Sequence, residues 1–144
     1  MRQYTILIFA FSLCFLAGCS DGLNQTLYAH YGAFKVRFPA TNDAYWKPDE
    51  SWVNKYKDYP QDTRAKFIGS KTVFVGFTDA YHVTRQVYGF GMMLGVLLFT
   101  LSAPILLGRS GSNMPQWLFV GMALGACWVC KSAGFHLIYS LYFS

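Results

Sequence analysis

Twenty consecutive positions without a charged side chain, from Tyr88 through Met92, Leu97 and Phe99 to Leu107, restrict this chain more than any other feature. A helix of that length, rising about 1.5 Å per residue, spans the ~30 Å hydrocarbon core of a bilayer. The polar turn Gly108-Arg109-Ser110-Gly111-Ser112-Asn113 suits a helix end, and Pro115 suits the start of the next helix. A second apolar stretch runs from Trp117 to Phe143, interrupted by Lys131 and His136. Its last aromatic residues, Tyr139, Tyr142 and Phe143, have the character of an interfacial belt. These runs predict a membrane protein, mainly α: a two-helix transmembrane hairpin with helices at 87–108 and 117–143, a cytoplasmic loop at 109–116, and a small irregular α/β exported segment. Hydrophobic residues at 53% against 13% charged residues agree with that class.

The chain opens with Arg2, an apolar run from Thr5 to Phe15, and then Leu16-Ala17-Gly18-Cys19. A basic start, a short apolar run and small residues at its end are the pattern of an export signal. The ending resembles the lipobox of bacterial lipoproteins, which implies a signal peptide at 1–18, cleavage before Cys19 and a diacylglyceryl group on the Cys19 sulfur. An uncleaved signal anchor is the alternative, and it leaves the topology of the remaining chain unchanged. Both place residues 19–86 on the outer side of a bacterial inner membrane. Arg109 fits a cytoplasmic loop under the positive-inside rule, whereas Arg85, at the outer end of the first span, does not.

The net charge of +5 is modest, and no run of Lys and Arg forms a stripe. That argues against nucleic acid and leaves membrane lipids as the expected partner, with a homo-oligomer or membrane-protein contact beside them. Of four cysteines, Cys14 lies in the signal, Cys19 is the lipidation site, and Cys127 and Cys130 lie in the last apolar stretch. The exported segment therefore has no disulfide framework.

In that segment Phe34, Val36 and Phe38 alternate with Lys35 and Arg37, which predicts a short strand before Pro39. Pro48, Asp49 and Glu50 open a predicted helix with Trp52, Tyr56 and Tyr59 on one face, closed by Pro60. Thr72 to Phe77 reads equally as a strand or as the lead into the membrane helix. Ser51-Trp52-Val53-Asn54-Lys55-Tyr56-Lys57, Lys66-Phe67-Ile68-Gly69-Ser70 and Phe77-Thr78-Asp79-Ala80-Tyr81-His82 together resemble a pattern in uncharacterised small bacterial membrane proteins. The resemblance covers residues 51–82 and implies no activity.

Gly91 with Gly95, and Gly121 with Gly125, are small residues four apart, the spacing that lets two membrane helices approach closely; packing of the hairpin on itself is the expected use. Turning 100° per residue from Gly121 places Ser132, His136 and Tyr139 on the glycine face, with Cys127 and Cys130 turned away from it. Cys127-Trp128-Val129-Cys130 has the spacing of a thiol redox or metal motif, yet it stands mid-helix among apolar residues that disfavour thiolate. Lys131 must lie at depth, at a cost of about 2.5–3.5 kcal/mol on insertion scales. It is expected to snorkel, to pair with a carbonyl, or to serve a function. Asp79, His82, Arg85 and Gln86 form a polar stripe at the outer mouth, with Asp79 expected to cap a helix. Asp79, His82, Arg85, Lys131 and His136 are thus the candidate polar site, with no catalytic residue, metal or cofactor implied. The expected function is that of a membrane-anchored accessory or interaction protein, a lipoprotein with a transmembrane hairpin. A subunit of an oligomeric channel or transporter is the alternative, and a membrane thiol oxidoreductase comes third.

Overall fold

The computed structural model describes residues 2–110 and 115–143; within them, side chains are described except at 2–4 and 103–110. The chain is mainly helical. Helix α1 spans Arg2–Ala29 and runs unbroken through Leu16-Ala17-Gly18-Cys19 into Asp21 and Asn24. Short helices α2 (Tyr31–Arg37), α3 (Asp43–Trp46) and α4 (Pro48–Ser51) come next, then a 3-10 turn at Trp52–Lys55. Strands β1 (Tyr56–Asp58) and β2 (Asp62–Ala65) pair antiparallel, with Tyr56 opposite Ala65. Helix α5 spans Ala80–Ser110 and helix α6 spans Gln116–His136, continued by a wide π turn at Leu137–Tyr142. The predicted loop 109–116 falls mostly on residues 111–114, outside the described residues, and the side chain of Arg109 is likewise not described.

Two stretches, Thr5–Ala29 and Gln116–Tyr142, are each long and apolar enough to cross a membrane. The first contains most of the segment predicted as a signal, 1–18, and continues beyond it; it is the element that organises the bundle. α1 lies between α5 and α6 and makes the larger interface with each, whereas α5 and α6 touch one another less. The hairpin expected to pack on itself is therefore opened by a third helix.

Near the start of α1, Ala10 and Cys14 pack with Phe99, Ala123 and Cys127. At its other end, Leu27 packs with Phe34, Ala80 and Phe143. This order runs α1 antiparallel to α5 and parallel to α6. Much of the surface in contact is built from small residues, which lets the helix backbones approach closely, with Phe99 packed between Phe11 and Phe119 at one end. A Cβ on Gly134 would collide with the Phe15 carbonyl, and one on Gly18 with the Lys131 carbonyl. Gly91 and Gly95 also face α1: a Cβ on Gly95 would stand 2.6 Å from Cys14 Sγ, and one on Gly91 3.0 Å from Ala17 Cβ. Gly121 and Gly125 face open space, with nothing within 4 Å of a Cβ. The seam of α6 is thus the Cys127, Lys131 and Gly134 side, and the expected orientation is reversed. That expectation gave α6 a single neighbour and let its glycines mark the contact.

The cap over residues 30–79 also departs from two expectations. Phe34, Val36 and Phe38 lie in or beside α2 and not in a strand; Phe34 and Phe38 are four apart, and their rings pack at 5.1 Å on the same side. Trp52, Tyr56 and Tyr59 do cluster, with Trp52 and Tyr59 centroids 4.8 Å apart, but across a 3-10 turn and a strand rather than along one helix. Thr72–Phe77 is a turn ending in a 3-10 segment at Val75–Phe77.

Candidate functional site

The polar residues singled out in the sequence do not converge on one place. Asp79, 1% exposed, caps α5: its Oδ1 accepts from the His82 backbone N–H at 2.8 Å, and Thr78 Oγ1 donates to its Oδ2 at 3.0 Å. The His82 ring closes the arrangement, with Nδ1 2.7 Å from Asp79 Oδ2. Every oxygen of the carboxylate is thus partnered, which suits a fixed cap more than a reacting group. Arg85 turns away to donate to Tyr81 OH at 3.1 Å, Gln86 donates to the Val73 carbonyl at 2.9 Å, and His136 bonds Ser140 Oγ at 3.1 Å.

Lys131 is the exception that joins elements. Its ammonium lies 2.6 Å from Asp21 Oδ2 on α1, with side chains 14% and 18% exposed. The same nitrogen stands 5.4 Å from the Tyr88 and Trp128 ring centres and 5.3 Å from that of Phe135. The ion pair to Asp21 on α1 and the Tyr88 face on α5 therefore tie both helices to α6, while Trp128 and Phe135 flank the ammonium from α6 itself. Asp21 was missed in the sequence because it falls just beyond the predicted cleavage point. The available signal was a lone lysine at depth, which calls for a carboxylate partner. Around this pair, Ser20 Oγ donates to the Thr84 carbonyl at 2.8 Å and Asn24 Nδ2 donates to the Tyr81 carbonyl at 2.8 Å. His30 Nε2 and Tyr139 OH are 2.9 Å apart.

Three of the four cysteines come together. Cys127 is buried against Cys14 in the α1–α6 interface and Cys130 is half-buried beside it. Among the described residues no group of three His, Cys, Asp or Glu side chains is placed to hold a metal ion.

Where the bundle meets the cap, an apolar cavity of about 460 Å³ opens between α1, α2, α3 and the π turn. Cys19, Leu23 and Ile138 line it from the bundle, and Phe34, Phe38 and Trp46 from the cap. The cap itself is tied down by a polar cluster: Tyr31 OH donates to Asp43 Oδ1 at 2.9 Å, and Lys35 Nζ donates to the same oxygen at 2.5 Å and to the Thr41 carbonyl at 2.6 Å. Burial, reinforced by the neighbouring Asp43 carboxylate, pushes the Tyr31 phenol up to about 12. Lys35, followed by Tyr31, holds the Asp43 carboxyl below its usual range.

Comparison with protein-family models, with curated proteins and with solved structures gives no match.

Proposed function

We propose that this chain is an integral protein of a bacterial inner membrane, with α1, α5 and α6 crossing the bilayer and residues 30–79 forming a cap on the outer side, and that it serves as a non-catalytic accessory or interaction protein. The observation that carries the reading is the exposed apolar surface of the bundle. Ile8, Phe9, Phe90, Met93, Trp117 and Val129 are each more than half exposed, on all three helices. Apolar surface of this extent needs a cover, and lipid is the cover that its length and composition fit. Asp21 and Lys131 point inward at each other, the arrangement in which charges are tolerated near a bilayer.

In this reading α1 stays with the mature chain. Removing residues 1–18 would strip Ala10, Cys14 and Ala17, all 0% exposed, from the interfaces with α5 and α6. Cleavage and acylation at Cys19 would instead leave those two helices with a seam of small residues facing no partner. The test is carbonate extraction combined with protease added to spheroplasts. The chain should stay in the membrane fraction while protease cuts within residues 30–79. A chain that stays in solution without detergent, or a cap out of reach of the protease, would contradict the proposal.

A second reading, a subunit of an oligomeric channel or transporter, is favoured by Gly121 and Gly125 on the outward side of α6, where a second helix has room to approach. Against the pore itself stands Lys131, which is occupied within the bundle. Chemical cross-linking in membranes separates the two: a monomer without cross-linked species excludes the oligomer.

A further inference from the structure

The apolar cavity between bundle and cap has the size of a ligand site, within the range of about 300–1,000 Å³ that small molecules occupy. Its chemistry is unlike that of a metabolite pocket, where a few polar groups converge to orient the ligand. Three residues with a hydroxyl line it, and two of those hydroxyls are spent locally: Ser20 Oγ donates to the Thr84 carbonyl and Thr41 Oγ1 donates to the Phe38 carbonyl at 2.7 Å, while the third residue, Tyr142, stands at the rim. The rest of the lining is hydrocarbon and aromatic ring, with the Cys19 thiol and the Trp46 indole among it. A tail without polar atoms fits such a lining.

The rim differs. Tyr142 forms part of the cavity wall, and the Arg37 guanidinium lies 5.0 Å over its ring. Arg37 has no carboxylate partner among the described residues, whereas its neighbour Lys35 is held by Asp43. A cationic group with no acid partner among the described residues thus stands at the edge of an apolar slot. That is the complement of an anionic amphiphile, and Arg is the side chain best suited to a phosphate.

We propose that this cavity takes an acyl chain of an anionic phospholipid from the surrounding bilayer, with Arg37 engaging its phosphate. The inference rests on the reading that the helices cross a bilayer. In that reading Leu23 lies about 9 Å below the end of α1 at Ala29, so the cavity floor falls where acyl chains begin beneath the headgroups. Aromatic side chains at that level and a basic residue just above it match the interfacial chemistry of membranes. The lipid would then fasten the cap to the bundle, filling the gap between Leu23 and Ile138 on one side and Phe34 and Trp46 on the other.

The experiment uses the full chain in vesicles of phosphatidylcholine containing a small fraction of phosphatidylglycerol that carries a photoreactive group in its acyl chain. After irradiation, adducts are mapped by peptide mass spectrometry. Adducts should appear on peptides containing Phe34, Phe38 and Trp46 as well as on the outward faces of α5 and α6. Excess unlabelled phosphatidylglycerol should remove the cap adducts, and excess phosphatidylcholine should not. Arg37→Gln should weaken cap labelling roughly tenfold, the loss of one charge-assisted contact, with Arg37→Lys intermediate. Leu23→Trp should abolish it by filling the cavity while leaving the helix adducts unchanged. Adducts on α5 and α6 alone, equal cap labelling from a phosphatidylcholine probe, or an acyl group found covalently on Cys19 in place of the bound lipid would each overturn the proposal. No adduct anywhere on the helices would overturn the membrane reading with it.

Discussion

The bundle and the cap are held together by opposite means. In the bundle most of the close contacts are between small residues: Ala10, Cys14, Ala17 and Gly18 on α1 meet Gly91 and Gly95 on α5 and Cys127 and Gly134 on α6, with an aromatic group, Phe11, Phe99 and Phe119, at one end. In the cap the contact residues are large, and Phe34 alone packs against the rings of Tyr31, Phe38, Trp46 and Phe143 at 5.1 to 5.9 Å. The difference stems from the surroundings proposed for each. Helices in lipid gain little by hiding apolar atoms from one another, so close backbone approach and an internal ion pair must hold them. A segment of about fifty residues in water has a small core, and aromatic rings bury the most surface per residue. Polar groups divide likewise: one inward pair with three aromatic faces in the bundle, and the Lys35–Asp43–Tyr31 cluster near the surface in the cap.

The largest expected effect is on the ion pair. Asp21→Leu leaves the Lys131 ammonium without its partner and should destabilise the bundle by about 3–5 kcal/mol. Asp21→Leu combined with Lys131→Met should recover most of the loss, read as detergent-titrated unfolding of the full chain. If the single and double variants unfold alike, the pair is not what joins α1 to α6. Phe34→Ala comes next, removing the ring at the centre of the cap at a cost of about 3 kcal/mol or more. Trp46 fluorescence should report a loosened cap while the helical circular dichroism of the bundle persists; loss of both together would mean that the two regions do not differ as described.

Glycine substitutions sharpen the bundle side of the comparison. Gly134→Leu drives a side chain into the Phe15 carbonyl and should cost about 1–3 kcal/mol, whereas Gly121→Leu should change stability by less than about 0.5 kcal/mol. Equal effects at the two positions would contradict the assigned seam.

The smallest effect is titration of the cap. Tyr31 has its folded value raised to about 12 from an ordinary 10, so the stability it contributes is full below about pH 10 and is lost as pH rises through about 12. Asp43 has its folded value lowered, so its contribution is present above the unfolded value of 3.8 and is lost as pH falls through the lower folded value. Trp46 emission followed against pH should show the alkaline change, and Tyr31→Phe should remove it. An unchanged alkaline transition in Tyr31→Phe would place its origin elsewhere.

How much of this is legible in the sequence depends on what each element must satisfy. The uncharged run at 88–107 and the stretch from Trp117 announce α5 and α6, since few other arrangements absorb so many apolar residues in a row. The role of α1 is harder to read because the apolar run of an export signal and that of a packed helix look alike over Thr5–Phe15. What separates them lies beyond: Gly18 and Gly22 extend the small-residue spacing of Ala10, Cys14 and Ala17, and Asp21 falls one turn from them on a helix that continues to Ala29. In the cap, Phe34 and Phe38 satisfy alternation and a helical i, i+4 pair equally, and tertiary packing on Trp46 and Phe143 decides between them. Of the candidate polar residues Asp79 and His82 meet, Arg85 on the next turn pairs with Tyr81, and Lys131 and His136 lie on another helix with partners of their own. The cavity itself is built from α1, α2, α3 and the π turn, segments that no local pattern brings together.

The retention of α1 is the claim on which the bundle depends, and intact mass spectrometry with N-terminal fragmentation of the membrane-extracted chain tests it most directly. Fragments that include Leu13 and Cys14, on the same polypeptide as Lys131, are the predicted result. A chain whose first residue is Cys19, with a diacylglyceryl group on its sulfur, would contradict it.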